Sequence, residues 1–374
     1  MTTPAAPGPL SHVKVLDLCI ARAGPTCVRV LADLGAQVIQ VVRPDGAGID
    51  SSLPNFDREN LHRNKRSICI NLQTEAGRDV FYRLARDADV VVENFRADVK
   101  HRLKVDYETL QRLNPRIVYG SISGFGQDGP YAARPGVDQI AQGLGGVMSV
   151  TGPPGSGPWR VGVPISDLCS GMYLAHGIMA ALLERERSGE GQWVQTSLLE
   201  AIIAMLDFQA TRWLIGGEVP PQAGNDHPTS FPMGVFEASD GLINLAASGD
   251  RMFGDFLRVI GAEEIGQDER FQTPRGRATH RPELRELVQD KLRAGTCDHW
   301  VQALNAVGVP CGPVLSIDQV FADPQVQHLE LAQAVESPRH GPLTLVRSPV
   351  RLSRTSTALR TAAPIPGGDT AAVL

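Results

Sequence analysis

Apolar segments alternate with helical segments along the first third of the chain, and this alternation constrains the fold more than any other feature. Runs with the apolar, β-branched composition of buried strands occupy residues 13–18, 36–42, 68–72, 90–93 and 117–122. Helical patterns lie between them at residues 25–34, 74–86 and 107–113. Strands separated by helices are typical of a mostly parallel sheet with helices on its faces, so the sequence predicts an α/β fold.

The remainder of the chain has a different pattern. A Gly- and Pro-rich stretch at 124–157 contains a short helical pattern at 139–144, and two long apolar helices are predicted at 168–187 and 198–215. After a Pro/Gly/Asn run, apolar segments at 234–238 and 242–247 indicate a β-hairpin. Helices predicted at 251–260, 281–292 and 297–306 complete a smaller α+β unit.

Composition excludes several classes of function. The chain has 374 residues and a formal net charge of -5, which gives no support for binding to nucleic acid or to a membrane surface. We find no apolar run of the roughly 18 residues that span a bilayer and no signal-peptide pattern, so we expect a cytoplasmic protein. The six cysteines are scattered, with no CxxC pair and no histidine at zinc-ligand spacing, and we expect no metal site.

Asp167 is the most informative single residue. It stands at the beginning of the apolar helix predicted from Leu168. Asp167 or Ser166 could cap that helix by accepting hydrogen bonds from its free N–H groups, which is the commoner role of such a residue. Alternatively, the helix N-terminus could lower the pKa of Asp167 and keep it ionised for use as a nucleophile.

Other chemical motifs are weaker. Gly124 to Gly129 matches GxGxxG, but Pro130 follows at once, so a tight loop lining a ligand cleft fits better than a dinucleotide fingerprint. Cys169 has no nearby basic partner to make it reactive. His227 lies in a boundary loop where it could contact a ligand or be a surface residue. Cationic residues follow the predicted strands and are either solvated or gathered around a polyanion such as a nucleotide; they are Arg22, Arg43, Lys65, Arg66, Arg96 and Arg102.

Ordered motifs along nearly the whole chain resemble the class III (CaiB/BaiF) coenzyme A transferases, the family of formyl-CoA transferase. They are VLDL, AGPTCVRVLADLGAQVIQVVRP, LHRNKRSICINL, DADVVVENFR, SISGFGQDGP, RPGVDQIAQGLGG, ISDLCSGM, GEGQWV and GVPCGPV. The resemblance implies an enzyme that transfers sulfur-containing groups, moving CoA from an acyl-CoA to a carboxylic acid. It also implies that Asp167 is the nucleophile, which passes through an aspartyl anhydride and an aspartyl-CoA thioester. No permanently bound cofactor is expected, because CoA is a substrate.

The resemblance also implies which residues contact CoA. The matching positions are Arg22, Ala23, Arg43, Ile70, Asn71, Gln73, Asn94, Phe95, Arg96, Arg102 and Asp138. Val137 and His227 are expected in the substrate pocket.

The same resemblance implies an architecture and a partner. Residues 1–200 and 335–374 would form a large CoA-binding, Rossmann-like domain, and 226–316 a small α+β domain. Residues 201–225 would be a linker helix and 317–334 a return linker. Two chains are expected to form a homodimer of interlocked rings.

Two alternatives stay open: an α-methylacyl-CoA racemase and a non-catalytic CoA-binding protein. Racemases of the related branch carry a His directly before the residue matched by Asp138, and here that position is Val137. Because a racemase needs two acid/base groups, Val137 favours a transferase. The chain lacks the glycine-rich active-site loop of formyl-CoA transferase, which makes formate and oxalate doubtful substrates and leaves succinate as a reasonable donor acid.

Overall fold

The computed structural model describes residues 7–45 and 56–374. Across those residues the strands are β1 Lys14–Asp17, β2 Gln37–Val42, β3 Lys65–Cys69, β4 Val90–Glu93, β5 Val118–Ser123, β6 Trp193–Ser197, β7 Met233–Glu237, β8 Leu242–Ala246, β9 Cys311–Pro313, β10 Ala332–Ser337 and β11 Gly341–Val346.

The helices before β7 are α1 Ala23–Asp33, α2 Phe56–His62, α3 Glu75–Arg86, α4 Ala97–Leu103, α5 Tyr107–Leu113, α6 Asp138–Leu144, α7 Val147–Val150, α8 Ile165–Ser188, α9 Leu198–Ala204 and α10 Phe208–Gly216. Those after β8 are α11 Asp250–Val259, α12 Pro274–Thr279, α13 Arg281–Leu292, α14 Cys297–Ala306, α15 Ile317–Ala322, α16 Pro324–His328 and α17 Thr370–Val373.

The chain divides into two compact units, and the first contains a six-stranded sheet. This unit comprises residues up to 147, 160–214 and 325 onward. Its strands are ordered β3-β2-β1-β4-β5-β6, and every neighbouring pair is parallel. This is the order of a Rossmann sheet, in which the chain reverses its direction of travel between β1 and β4. The predicted α/β fold with a mostly parallel sheet is confirmed.

Apolar side chains cover both faces of this sheet. On one face, Val15 and Val92 pack in a buried cluster with Val28 of α1 and Leu174 and Ile178 of α8. On the other face, residues that include Val91 and Tyr119 pack with Phe81 of α3 and Leu110 of α5. The strands are therefore apolar on both sides, which explains why they appear in the sequence as nearly continuous hydrophobic runs.

The crossover helices of such a sheet run antiparallel to its strands and begin at the carboxyl edge. Helices α1 and α8 both start there. Gly171 brings them into contact, because a Cβ at this position would lie 2.7 Å from Ala23 O and 2.8 Å from Thr26 Cβ. This close approach holds the second turn of α8 against the first turn of α1.

The second unit comprises residues 148–159 and 215–324. It contains the predicted hairpin, with β7 antiparallel to β8 and β8 antiparallel to β9. Its core is formed by side chains such as Phe236, Phe256, Leu284 and Leu304, which are almost fully buried. The hairpin predicted from the sequence is confirmed, while the unit extends beyond the predicted bounds 226–316.

The structure differs from the sequence predictions in several places, and β3 begins three residues before the predicted strand at 68–72. The helix predicted at 198–215 is interrupted, because Asp207 has a φ of +48° and separates α9 from α10. Residues 148–159 pack with the second unit, although the sequence placed them in the large domain. The linker roles of 201–225 and 317–334 stay predictions. Finally, α8 is long and apolar enough to cross a membrane, so the expectation of no such run was wrong; half of that window is buried in the protein, as in core helices.

Candidate active site

Asp167 lies in the first turn of α8, at the carboxyl edge of the sheet. The helix begins at Ile165, and its N-cap is Pro164, which has no capping side chain. Asp167 is therefore the third residue inside the helix, and the prediction that Asp167 or Ser166 is the N-cap is wrong. Within residues 7–45 and 56–374, no hydrogen bond or ion pair involves the Asp167 carboxylate. This partly buried group is available to a ligand.

The electrostatic surroundings of Asp167 also differ from the expectation. Burial, and secondly the negative charge of Asp138, raise the pKa of Asp167 from 3.8 to about 6, and Arg22 opposes this rise. The prediction that the helix N-terminus lowers this pKa is wrong, because desolvation outweighs it. At pH 7 the group is still about nine-tenths ionised, which suits a carboxylate nucleophile.

Asp138, the first residue of α6, has the opposite environment. Its Oδ1 accepts hydrogen bonds from Ser166 N at 3.0 Å and Ser166 Oγ at 2.6 Å. Its Oδ2 accepts from Gln142 Nε2 at 2.8 Å and Arg160 Nη2 at 3.1 Å. Burial alone would raise the pKa of Asp138, but these hydrogen bonds outweigh burial and lower it below its ordinary value. Two nearby carboxylates thus have pKa values shifted in opposite directions, a pattern common in active sites.

The loops after β1 and β4 meet where the strand order reverses, which is the usual ligand-binding crevice of this kind of sheet. Asn94 links them: its Oδ1 accepts from Ile20 N at 2.8 Å, and its Nδ2 donates to Ile20 O at 2.7 Å. Arg22 stands directly before α1 and pairs with Asp57. The loop after β1 is thereby tied to the loop after β4 and to α2.

Most of the residues expected to contact CoA follow the carboxyl ends of β1 to β4. Arg22 and Ala23 follow β1, Arg43 follows β2, Ile70, Asn71 and Gln73 follow β3, and Asn94, Phe95 and Arg96 follow β4. Arg43 is exposed and pairs with Asp45 at 2.6 Å, and Arg96 is exposed at the start of α4. The structure therefore brings the positions that directly follow the strands to one edge of the sheet. Arg102 lies further along, in the last turn of α4.

The two residues expected in the substrate pocket lie in different units. Val137 is the N-cap of α6 in the first unit, and its side chain is exposed. His227 belongs to the second unit, where its Nδ1 accepts from Thr229 N at 3.3 Å. Their role in substrate binding stays a prediction.

A buried network under the loop after β4 was missed by the sequence analysis. Glu93 accepts hydrogen bonds from Phe95 N at 2.7 Å, Ser121 Oγ at 2.5 Å and Lys100 Nζ at 3.2 Å. Burial raises the pKa of Glu93 against the opposing charge of Lys100. A glutamate ending a run of three valines was the available signal, since a buried carboxylate requires partners. The network holds the turn that carries Asn94.

Two further features do not add chemistry to this site. Burial raises the pKa of Cys169 to about 11, so its thiol is protonated and unreactive at neutral pH. Ligand atoms of His101, Asp106 and Glu108 lie within 4.8 Å of one another. However, Asp106 caps α5 by accepting from Thr109 N at 2.9 Å, which explains its position without a metal ion.

A cavity of about 380 Å³ lies away from this edge. It is lined by residues that include Lys14, Gln37, Arg66, Arg83 and Val373. Lys14, Gln37 and Arg66 stand at the amino ends of β1, β2 and β3, whereas Asp167 lies at the carboxyl edge. The cavity is therefore separate from the candidate active site.

Comparison with known proteins gives a consistent result. The family model described as CoA-transferase family III matches residues 10–370. The chain is 39% identical to succinate–glutarate CoA-transferase of Agrobacterium fabrum, over 98% of this chain and 95% of that protein. It is 38% identical to acetyl-CoA:oxalate CoA-transferase of Acetobacter aceti, over 87% of this chain and 85% of the relative.

Two solved structures are similar to the chain over nearly its whole length. A CaiB/BaiF family protein from Brucella suis is 34% identical, with a TM-score of 0.87 and 98% of each chain covered. A hypothetical protein from Mycobacterium tuberculosis is 28% identical, with a TM-score of 0.89 over 99% of this chain and 100% of the other.

Proposed function

The chain belongs to CoA-transferase family III, and on that basis we propose that it moves CoA from an acyl-CoA to a free carboxylic acid with Asp167 as nucleophile. The observation that carries the proposal is the contrast between two carboxylates. Asp138 is saturated by hydrogen bonds, while the Asp167 carboxylate has no protein partner among the described residues and has a pKa of about 6. A group that is ionised but unpaired is prepared to attack a substrate.

The first half-reaction removes the donor acid. The Asp167 carboxylate attacks the thioester carbonyl and expels CoA as a thiolate, which forms a mixed anhydride. The thiolate then attacks the Asp167 carbonyl and expels the donor acid as a carboxylate. The product is an aspartyl-CoA thioester.

The second half-reaction repeats these steps with the acceptor. The acceptor carboxylate attacks the Asp167 thioester carbonyl, forms a second anhydride and releases the CoA thiolate. Attack of that thiolate on the acceptor acyl carbonyl gives the new acyl-CoA and regenerates Asp167. One thioester is exchanged for another, so the reaction is nearly isoenergetic and no net proton transfer is needed.

The carboxyl edge of the sheet supports CoA binding at Arg22, Ala23, Arg43, Ile70, Asn71, Gln73, Asn94, Phe95, Arg96 and Arg102. Backbone and side-chain groups at the switch point of such a sheet suit a nucleotide. Guanidinium groups at the same edge suit its phosphates. The thioester would then reach the first turn of α8, where Asp167 lies beside the loop after β1.

Dicarboxylic acids are our proposed substrates, with succinate as the donor acid. The support comes from relatives whose names specify succinate and glutarate. The relative from Acetobacter aceti is named for oxalate, so oxalate belongs in any substrate screen even though the missing glycine-rich loop argued against it.

A homodimer is supported by exposed apolar side chains on α8 to α10. Leu183 is 74% exposed, Trp213 56% and Leu214 76%. A second copy of the chain would bury apolar side chains of this kind. Light scattering should give the mass of a dimer, and a stable, active monomer would contradict this part of the proposal.

Hydroxylamine trapping tests the nucleophile. We expect incubation with succinyl-CoA and hydroxylamine to convert Asp167 to its hydroxamate, detected by peptide mass spectrometry. Asp167→Ala should abolish CoA exchange, whereas Asp290→Ala removes a carboxylate that is 77% exposed and should leave exchange unchanged. An unmodified Asp167 together with normal activity of Asp167→Ala would remove Asp167 from the mechanism.

A substrate screen tests the reaction class. The enzyme is incubated with succinyl-CoA and a panel of free acids that includes glutarate and oxalate, and new thioesters are measured by mass spectrometry. A chiral 2-methylacyl-CoA in deuterated water is the parallel assay. Deuterium at the α-carbon without CoA exchange would indicate a racemase instead.

A further inference from the structure

Asp138 has no free position for a ligand on its carboxylate. It is only 8% exposed. A carboxylate offers about four lone-pair sites, two on each oxygen. Ser166 N and Ser166 Oγ occupy those of Oδ1, and Gln142 Nε2 and Arg160 Nη2 occupy those of Oδ2. The side chain is therefore committed to the protein.

These contacts supply what the beginning of α8 lacks. The first N–H groups of a helix have no partner within the helix and are usually satisfied by an N-cap side chain. Pro164 offers none. Asp138 reaches across from α6 and accepts from Ser166 N, and it also holds the Ser166 hydroxyl. Because Ser166 directly precedes Asp167, these bonds hold the Ile165–Ser166 peptide and the Ser166 side chain, the part of the chain immediately before the nucleophile.

We infer that Asp138 is a positioning residue for Asp167 and not a side-chain ligand of CoA: it caps α8 from another helix and presents a negative charge to the nucleophile. The inference rests on the proposed role of Asp167. It replaces the side-chain contact with CoA that the family resemblance implied for Asp138.

The charge of Asp138 has a chemical consequence. It contributes to raising the pKa of Asp167 to about 6, whereas an ordinary alkyl carboxylic acid has a pKa of about 4 to 5. In the mixed anhydride, thiolate attack on the Asp167 carbonyl expels the substrate carboxylate, and attack on the acyl carbonyl expels Asp167. The weaker acid is the poorer leaving group, so a raised pKa at Asp167 favours the aspartyl-CoA thioester over either acyl-CoA. It slows the return to starting materials and, equally, the last step of the second half-reaction.

Two charged groups act on the carboxylate of Asp167: Asp138 from α6, and Arg22 from the residue before α1. Cys169 lies close by on α8, but its thiol is protonated at neutral pH. Arg160 pairs with Asp138. Because the Arg160 side chain is 38% exposed, water screens its positive charge, and Arg160 neutralises the charge of Asp138 only in part. Replacing Asp138 is therefore the direct test of the charge effect on Asp167.

The substitution Asp138→Asn separates the possible roles. The amide oxygen can still accept from Ser166, but its NH₂ group would face the donors of Gln142 and Arg160. We expect kcat at pH 7.5 to fall about 10- to 100-fold, as for a small misplacement of a catalytic group. The acid limb of kcat/KM for succinyl-CoA, which reports the free enzyme, should move to lower pH by at least about half a unit. Affinity for free CoA, measured by calorimetry, should stay within about twofold.

Two further variants serve as comparisons. Ser166→Ala removes one donor and keeps the Asp138 charge, so we expect a lower kcat with the acid limb unmoved. Asp106→Asn alters a different buried carboxylate, 7% exposed, that caps α5 in the same unit. It should change neither the acid limb nor CoA affinity.

The outcomes are distinct. If Asp138→Asn weakens CoA binding tenfold or more with the acid limb unmoved, Asp138 is a CoA ligand and the inference is wrong. If Asp138→Asn does not fold, Ser166→Ala decides: an unchanged kcat overturns the inference. Hydroxylamine trapping of the wild-type enzyme separates this result from the proposed function. If hydroxylamine does not trap Asp167, the proposal that Asp167 is the nucleophile is wrong. If trapping is normal and Asp138→Asn has unchanged kinetics, only the positioning role of Asp138 is wrong.

Discussion

Replacing Asp167 by asparagine should stabilise the folded protein at pH 7 while abolishing CoA transfer. The pKa of Asp167 is raised from 3.8 to about 6, which means that folding disfavours its ionised form. A difference of about two pKa units corresponds to at most about 3 kcal/mol. Because the group is partly exposed, solvent screening reduces this, and we expect Asp167→Asn to increase the free energy of unfolding by about 1 to 2 kcal/mol.

The stability gain of Asp167→Asn should depend on pH in a defined direction. A carboxyl group whose folded pKa exceeds its unfolded pKa destabilises the protein fully above the folded value. That cost is lost as the pH falls from about 6 towards 4, because the folded state then binds the proton first. The stability difference between wild type and Asp167→Asn should therefore be largest above pH 6 and vanish below about pH 4.

Urea denaturation at fixed protein concentration from pH 4 to 8 measures this difference. Asp106→Asn is the matched control, since it replaces a buried carboxylate that caps α5 and does not act on Asp167; it should give no gain in stability. If Asp167→Asn were only as stable as the wild type at pH 7, or if its gain in stability did not depend on pH, the inference would be refuted. Burial of the ionised Asp167 carboxylate would then not destabilise the folded protein.

Three other outcomes follow from the geometry. First, kcat/KM for the acyl-CoA should fall about tenfold per pH unit below about pH 6, since Asp167 must be ionised; a limb near pH 4 would contradict the raised pKa. Second, Gly171→Ala should cost about 1 to 3 kcal/mol in denaturation and lower kcat, because the new Cβ would lie 2.7 Å from Ala23 O; unchanged stability would show that α1 and α8 separate freely. Third, Asn94→Ala removes the 2.8 and 2.7 Å bonds to Ile20 and should raise the KM for acyl-CoA about tenfold with kcat nearly unchanged, in steady-state kinetics. An unchanged KM would separate this loop from CoA binding.

Much of the fold was predictable because its signals are local. Buried strands of a parallel sheet are continuous apolar runs, and helices have their own period, so β1, β2, β4 and β5 were found within a few residues. The start of α8 was placed three residues late, because Pro164 and Ser166 have the composition of a loop. The break at Asp207 had no sequence signal, since a positive φ at an aspartate depends on what surrounds it.

The candidate site was predictable only in part. Asp167 and the positions after β1 to β4 were predicted through the family resemblance; the sheet places them at its carboxyl edge, and their roles stay predictions. Gln142 could have been recognised, since it lies one helical turn after Asp138. Ser166 and Arg160 could not, because they are brought to Asp138 by chain folding and not by sequence spacing.

The sequence by itself determined an α/β sheet and the family, and it predicted Asp167 as the nucleophile. Only the tertiary structure decided the strand order, the contact of α1 with α8 at Gly171, and the electrostatic state of Asp167. The physical reason is the range of the forces involved. Hydrophobic periodicity acts over a few residues of chain, whereas burial and the charge of Asp138 act through space between segments that are distant in sequence.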